Sequence, residues 1–258
     1  MATSLKIPDL AGKAVLITGA STGIGAAVAI AFGAQGAKVG VHYNSSKADA
    51  DQVVKTITDA GGEAFAIKAD VTKVDEVVKL VEDTAQHFGR LDGLINNAGL
   101  MVARVAYADM TPEYYDDVMN LNARSVIFAT KTAIPWLKKQ GGFVINTTSI
   151  AARNGASGNA GLYGSSKAFV SNVTRGLAKE LIGFKIRVNA VAPGFIETKF
   201  HDRYSTDAQR QAALGTIPQG RLGTAEDCVG AYLFLASESL SSYIIGQVVE
   251  VNGGQLMP

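Results

Sequence analysis

Thr18-Gly19-Ala20-Ser21-Thr22-Gly23-Ile24-Gly25 decides how this chain reads. An apolar run at residues 13–18 leads into it, and Ile24, Ala27, Val28 and Ala31 then recur at helical spacing. A strand that ends in glycines and turns at once into a helix has a physical use. The backbone can turn tightly, and the N–H groups at the helix start face whatever approaches. A pyrophosphate suits that place. Such a turn can also be purely structural, and the spacing is Gly-x-x-x-Gly-x-Gly rather than the commoner Gly-x-Gly-x-x-Gly. Its position directly after the first strand favours dinucleotide binding.

Outward from this stretch the same alternation repeats. Residues 38–42 read as a second strand and 47–60 as a helix closed by Gly61-Gly62. Residues 64–68 read as a third strand. Val74, Val77, Val78, Val81 and Ala85 stripe a helix that Gly89 ends. Strands at 93–96, 143–147, 186–191 and 247–251 follow, with helices at 112–121, 122–139, about 162–182 and 225–236. Strand and helix in alternation mean parallel strands joined by right-handed crossovers. The expected fold is α/β: one doubly wound, parallel sheet of about seven strands with helices on both faces. No composition break or linker divides the chain, so residues 1–258 read as a single domain. Residues 195–223 are polar and interrupted by Pro218, Gly220 and Gly223, which suggests an irregular, flexible lid.

Composition narrows the partners. The 258 residues are 47% hydrophobic and 18% charged, with a net charge of +1. That balance argues against nucleic acid or an anionic membrane. The single cysteine, Cys228, excludes an internal disulfide, and no metal site is expected. Residues 1–10 lack the apolar core of a secretory signal, and no window is long and apolar enough to span a bilayer. The default address is the cytoplasm.

More motifs follow the glycines in order: Asp70, Asn96-Asn97-Ala98-Gly99, Asn122, Ser149, Tyr163, Lys167, Pro193-Gly194, Thr198 and Val251-Asn252-Gly253-Gly254. Together they resemble the short-chain dehydrogenase/reductase family over nearly the whole chain. The resemblance implies a Rossmann-type domain that moves hydride between NAD(P) and a carbonyl or secondary alcohol. It implies cofactor contacts from Gly19, Ser21, Thr22, Gly23, Ile24 and Gly25. Asp70 would accept a hydrogen bond from the adenine amino group, with Val71 in the same set. Asp70 also reads as a helix cap ahead of Val74. Asn97, Ala98 and Gly99 would pass close to a cofactor sugar. Pro193, Gly194, Ile196 and Thr198 would line the nicotinamide side, Thr198 holding the carboxamide. A homotetramer is the family's usual assembly.

The end of the second strand bears on cofactor choice. A site that favours NAD usually has an acid there, about 20 residues past the glycines. Here Tyr43 stands there, followed by Asn44, Ser45, Ser46 and Lys47. Without the carboxylate a 2′-phosphate is not repelled, and these residues can donate to it. NADP(H) is therefore the expected preference, with NAD(H) possible.

Hydride transfer to a carbonyl requires a proton for the oxygen. A free tyrosine has a pKa near ~10, and a neighbouring cation lowers it. Tyr163 and Lys167 lie four apart on the expected helix and share a face. Tyr43 and Lys47 have the same separation, but they lie on the adenosine side. Ser149 closes the fifth strand and can stabilise the developing alkoxide. Strand alternation would turn its neighbour Thr148 to the opposite face. The resemblance implies that Asn122 holds a water linking Lys167 to solvent; by position it also reads as a plain helix cap.

Pocket candidates are Leu100, Met101, Asn154, Ala156, Phe195, His201 and Tyr204. They suit a small hydroxylated substrate such as a sugar or polyol. The alternative is a 3-oxoacyl thioester of an acyl-carrier protein, with Lys138, Lys139 and Lys185 as the available basic surface. A non-catalytic dinucleotide sensor is the other class, and the intact Ser149, Tyr163, Lys167 and Asn122 speak against it.

Overall fold

Three consecutive residues show how the sheet is buried on both sides. Val15 and Ile17 belong to one apolar cluster, and Leu16 between them belongs to another. Side chains alternate across a strand, so the strand carrying them separates two cores. That strand, β1 (Ala14–Ile17), lies inside the sheet of the computed structural model, which describes residues 6–257. The reading of residues 1–10 as leaderless falls partly outside those residues, and so does Pro258.

The other strands are β2 (Lys38–Tyr43), β3 (Glu63–Lys68), β4 (Gly93–Asn96), β5 (Gly142–Thr147), β6 (Ile186–Pro193) and β7 (Val248–Val251). They pair in the order β3-β2-β1-β4-β5-β6-β7, all parallel. Seven parallel strands are what the alternation of segments implies. The order reverses between β1 and β4, and such a reversal leaves a crevice at the carboxyl ends of those strands.

Two helical layers cover the sheet. On one face lie α1 (Gly23–Ala34), α2 (Lys47–Asp59) and the helix Ala225–Ala236, with Phe32, Ile57 and Tyr232 in the first core. On the other lie α3 (Val74–Phe88) and the helices Ser125–Leu137 and Gly161–Leu181, with Leu80, Leu137 and Leu181 in the second. Gly89 ends α3 with φ 71°, the left-handed conformation expected of a glycine after a helix.

Two expectations need correction. The helices at 112–121 and 122–139 do not meet at a simple junction. Helix α4 (Pro112–Met119) passes through a π-helical turn, Asn120–Arg124, into α5 (Ser125–Leu137). Such a turn inserts a residue into the ladder without breaking it, so apolar periodicity alone does not reveal it. The segment 195–223 is not irregular throughout. After α6 (Ala151–Asn154) and α7 (Gly161–Leu181), it contains α8 (Lys199–Tyr204) and α9 (Asp207–Leu214). Helix α9 is started by a capping box between Thr206 and Gln209. The chain ends with α10 (Ala225–Ala236), α11 (Glu238–Ser241) and β7. Among the described residues no helix is long and apolar enough to cross a membrane.

Candidate active site

The parallel sheet brings the carboxyl ends of its strands to one edge, and the candidate residues gather there. Thr18 to Gly25 leave β1, Asn44 to Ser46 leave β2, and Asp70 and Val71 follow β3. Asn97 to Gly99 leave β4, Ser149 follows β5, and Gly194, Ile196 and Thr198 follow β6.

The turn after β1 is built by backbone contacts. A Cβ on Gly25 would lie 2.2 Å from the Gly19 carbonyl oxygen, so only glycine fits. Asn97 Nδ2 donates to the carbonyl oxygens of Thr18 and Gly19, each at 3.0 Å. Thr18 Oγ1 accepts from the N–H groups of Asn97 at 2.9 Å and Ala98 at 3.0 Å. The Asn97 amide thus braces the turn itself. Thr22 caps α1 without a side-chain hydrogen bond. The first N–H groups of α1 are left for another acceptor, and an anion at a helix N-terminus is a natural one. A dinucleotide pyrophosphate fits this cradle. Thr198 packs over it: a Cβ on Gly23 would lie 3.1 Å from Thr198 Cγ2.

His42 belongs to this structure, and the sequence reading missed it. Its Nδ1 accepts from the Gly19 N–H at 2.8 Å, which places the ring proton on Nε2, facing the Ala69 carbonyl oxygen at 3.0 Å. Burial lowers its pKa, while Ala69 and Asp70 pull the other way. The neutral ring therefore ties the ends of β1, β2 and β3 together. A histidine near the end of the mostly apolar strand β2 was the available signal.

On the adenosine side Tyr43 is buried in the first core, which leaves Asn44 and Ser45 exposed and Ser46 half-buried. The Lys47 ammonium turns to Asp51 at 2.6 Å. Asp49 on α2 pairs with Lys199 of α8 at 2.9 Å, a bridge from α2 to the lid. Asp70 is not a cap of α3. It folds an Asx turn, accepting from the N–H of Thr72 at 3.0 Å and its hydroxyl at 2.7 Å, and Lys73 occupies the cap position. Burial raises the Asp70 pKa, but the Thr72 bonds outweigh it and hold the group below its usual value.

Tyr163 and Lys167 stand one turn apart at the start of α7. The Lys167 ammonium is 5.9 Å from the Tyr163 ring centroid and donates to the Thr147 carbonyl oxygen at 2.9 Å. Ser149 is hydrogen-bonded to the Tyr163 phenol, and its Oγ also accepts from the Ala151 N–H at 3.1 Å. The expected lowering of the phenol by Lys167 is reversed. Burial pushes Tyr163 up to about 12, and the Ser149 bond only eases this. Burial also lowers Lys167 to about 8. With the ammonium turned toward Thr147, burial governs both groups.

The neighbouring hydroxyls are spent. Thr147 bonds Tyr232 at 2.7 Å. Thr148 donates to the Lys167 carbonyl oxygen at 2.8 Å and meets Ser171 at 2.6 Å. Because β5 ends at Thr147, alternation does not govern Thr148, and it faces α7, the helix of Tyr163. Asn122, inside the π turn, is no cap. Its Nδ2 donates to the carbonyl oxygens of Leu100 at 2.8 Å and Val118 at 3.0 Å, and its Oδ1 accepts from the Leu100 N–H at 3.1 Å. A Cβ on Gly99 would lie 2.6 Å from Asn122 Oδ1 and 2.9 Å from Lys167 Nζ, so glycine there keeps the two groups in place.

Of the pocket candidates, Met101 is buried, Leu100 and Asn154 are exposed, and Phe195, His201 and Tyr204 are half-buried in the lid. Val102 beside them has φ 68°, a strained conformation for a β-branched residue. The lysines proposed for a thioester are far away. Lys138 and Lys139 follow α5, and Lys185 precedes β6, so all three sit at the amino edge of the sheet. Lys138 lies 3.5 Å from the Phe184 ring centroid and Lys139 lies 3.7 Å from that of Trp136. A helix after β4 must run back to that edge before β5 can start in parallel, and its last residues go with it.

Known proteins resemble this chain over nearly its whole length. The family model described as enoyl-(acyl carrier protein) reductase matches residues 19–255. The 3-oxoacyl-[acyl-carrier-protein] reductase FabG of Thermotoga maritima is 40% identical over 246 residues, covering 95% of this chain and 98% of that one. The NADH-dependent reductase A1-R′, responsible for alginate metabolism, has a similar solved structure. Its TM-score is 0.90 at 39% identity, covering 97% of this chain and 100% of that one. A1-R′ has also been solved in complex with NAD. A short chain dehydrogenase from Burkholderia cenocepacia J2315, in complex with NADP, has a TM-score of 0.90 at 34% identity and covers 96% of this chain and 99% of its own. The chain thus belongs to the short-chain dehydrogenase/reductase family and is an NAD(P)-dependent oxidoreductase.

Proposed function

We propose that this enzyme reduces the 3-oxo group of an acyl thioester, with NADPH as the preferred hydride donor. The observation that carries reduction is the placement of Ser149, Tyr163 and Lys167 at the strand edge that also holds the glycine cradle. The thioester rests on FabG of Thermotoga maritima and on the family description. A second reading, a small hydroxylated carbonyl such as a sugar or polyol, is favoured by the polar groups His201 and Tyr204 of the lid and Arg104 beside them. The resemblance to A1-R′ supports it too.

The bound dinucleotide supplies the hydride. The Thr18–Gly25 turn and the start of α1 would bind the pyrophosphate, and Asn44, Ser45 and Ser46 the adenosine ribose. Ser149 donates to the substrate oxygen and holds it beside the phenol. Tyr163, protonated across the neutral range, gives its proton to that oxygen. Lys167 keeps its own proton below pH about 8 and can restore the one the phenol gives up. Asn122 fixes the Leu100 backbone beside this pair.

NADPH preference rests on the lack of a carboxylate at Tyr43–Ser46. A tighter dissociation constant for NADH than for NADPH would reject it. The working form is a cytoplasmic homotetramer, supported by the exposed aromatic side chains Tyr115 on α4 and Phe169 on α7. Sedimentation as a monomer at micromolar protein would contradict it.

The deciding experiment is NADPH oxidation against 3-oxoacyl thioesters, sugars, polyols and diketones, with Tyr163→Phe as the control. Turnover confined to thioesters supports the first reading, and turnover confined to sugars or polyols the second.

A further inference from the structure

One lid residue has a polar group that no other described residue uses. Tyr204 closes α8, and its ring meets the Phe200 ring edge-on with centroids 5.1 Å apart. Phe200 in turn meets the Tyr163 ring at 5.8 Å. Three rings therefore run in a row from the catalytic phenol into the lid.

The row is held from outside by Arg104, on the loop between β4 and α4. Its Nε donates to the Tyr204 carbonyl oxygen at 2.9 Å. Its Nη1 donates to the carbonyl oxygens of Ser157 at 3.0 Å and Gly158 at 2.8 Å. One guanidinium thus joins the lid, its own loop and the loop before α7. The neighbouring lid residue His201 is also committed, stacked on Phe195 at 3.6 Å with Nδ1 hydrogen-bonded to Ser205 Oγ at 2.8 Å.

The Tyr204 hydroxyl is buried and has no hydrogen-bond partner among the described residues. Among the described residues the only other such side-chain atom is Gln255 Oε1, which a Cβ on Gly194 would meet at 3.4 Å. Leaving a buried hydroxyl unpaired costs ~1–3 kcal/mol, and a buried tyrosine oxygen usually finds a partner. Phenylalanine would keep the ring row without that cost. An orphan group inside an otherwise satisfied lid marks a place where a ligand supplies the missing partner.

The reacting oxygen already has Ser149 and Tyr163. The group one ring away can serve only another oxygen of the same molecule. We infer that the Tyr204 hydroxyl donates a hydrogen bond to a second substrate oxygen, and so selects carbonyl compounds that carry one beyond the reacting group. This rests on the carbonyl-reductase reading above. The second oxygen is the thioester carbonyl in a 3-oxoacyl thioester and a hydroxyl in a sugar-type ketone.

The test is Tyr204→Phe, assayed with NADPH on acetoacetyl-coenzyme A, dihydroxyacetone and a simple monoketone. Its melting temperature and NADPH affinity serve as folding controls. KM for the oxygen-bearing substrate should rise about tenfold, the worth of one buried hydrogen bond, with kcat changed less. The monoketone should be a poor substrate for the wild type and no poorer for the variant. A rise confined to the thioester or to dihydroxyacetone tells which oxygen Tyr204 serves. An unchanged KM, or an equal change on all three substrates, overturns the inference and leaves carbonyl reduction standing. A wild type that reduces no carbonyl overturns the reading beneath it, and the inference falls with it.

Discussion

The cradle after β1 and the segment between β6 and α10 meet where Thr198 packs over Gly23, but they are built in different ways. The cradle is made of backbone. Gly25 touches the Gly19 carbonyl, and Thr18, Asn97 and His42 bind main-chain atoms of the turn. The lid is made of side chains from distant parts of the chain: the Lys199–Asp49 pair, the Arg104 guanidinium and the rings of Phe195, Phe200, His201 and Tyr204. Backbone contacts demand particular residues at fixed spacing. Side-chain contacts of this kind can be met by many sequences. The cradle should therefore fail sharply when altered, and the lid gradually.

The largest effect falls where the two halves meet. Tyr163→Phe removes the proton donor and little else, because the ring still packs at 5.8 Å from Phe200. Turnover should fall by ~10²–10⁴, the usual worth of a positioned acid, with NADPH affinity retained. Stopped-flow reduction together with a cofactor titration separates the two quantities. Near-normal turnover would remove Tyr163 from the chemistry.

Next comes the cradle itself. Gly25→Ala puts a methyl 2.2 Å from the Gly19 carbonyl oxygen, and backbone must move to admit it. Dinucleotide affinity should drop by at least ~10-fold and the melting temperature should fall, since small-to-large changes at packed sites cost ~1–3 kcal/mol. Calorimetry reads both. An alanine variant with normal affinity would show that the cradle tolerates side chains as the lid does, and the contrast would fail.

The same contrast explains what was legible in the sequence. The strands and their parallel direction follow from alternation, and the shared face of Tyr163 and Lys167 from helical spacing, whereas the place of Ser149 beside them came from the family resemblance. His42 escaped because its partners are main-chain atoms of Gly19 and Ala69, so no spacing between side chains marks it. The π turn at Asn122 escaped because it keeps the apolar stripe. Helices α8 and α9 were hidden by short length and polar composition. The orphan hydroxyl of Tyr204 depends on burial by residues far away in sequence. The position of Lys138, Lys139 and Lys185 at the amino edge follows from topology, which a count of charges does not show.

A smaller effect concerns Lys167, which reaches from α7 to the Thr147 carbonyl at the end of β5. Its pKa is lowered by burial to about 8, so its proton is present at neutral pH and lost above that value. If it restores the proton that Tyr163 gives up, kcat/KM for carbonyl reduction stays flat below pH about 8. Above it, the value falls up to tenfold per unit. A pH profile on the reductive reaction checks this. A profile flat to pH 10 would take Lys167 out of the relay and leave it a structural role through Thr147.

The smallest effect should be seen in the lid, where loss is gradual. Burial first, and then Arg210 of α9 and Arg104 of the β4–α4 loop, lower the His201 pKa to about 4, while Asp202 on its own helix opposes them. The imidazole is neutral when packed against Phe195 and Phe200. Its folded value lies below the ~6.5 of a free histidine. Its contribution to lid closure is therefore complete above pH about 6.5 and is lost as pH falls from there through about 4. Between pH 7 and pH 5 the lid should open more often, and KM for the carbonyl substrate should rise by ~3-fold while NADPH affinity stays level. Hydrogen exchange across 199–214 follows the opening directly, and His201→Gln should flatten its pH dependence. Equal acid sensitivity of NADPH binding would mean that protonation reaches the cradle, where His42 also loses stability as pH falls, and that the two halves open as one. A lid insensitive to pH would mean that Arg104 and the Lys199–Asp49 bridge hold it closed without help from the histidine.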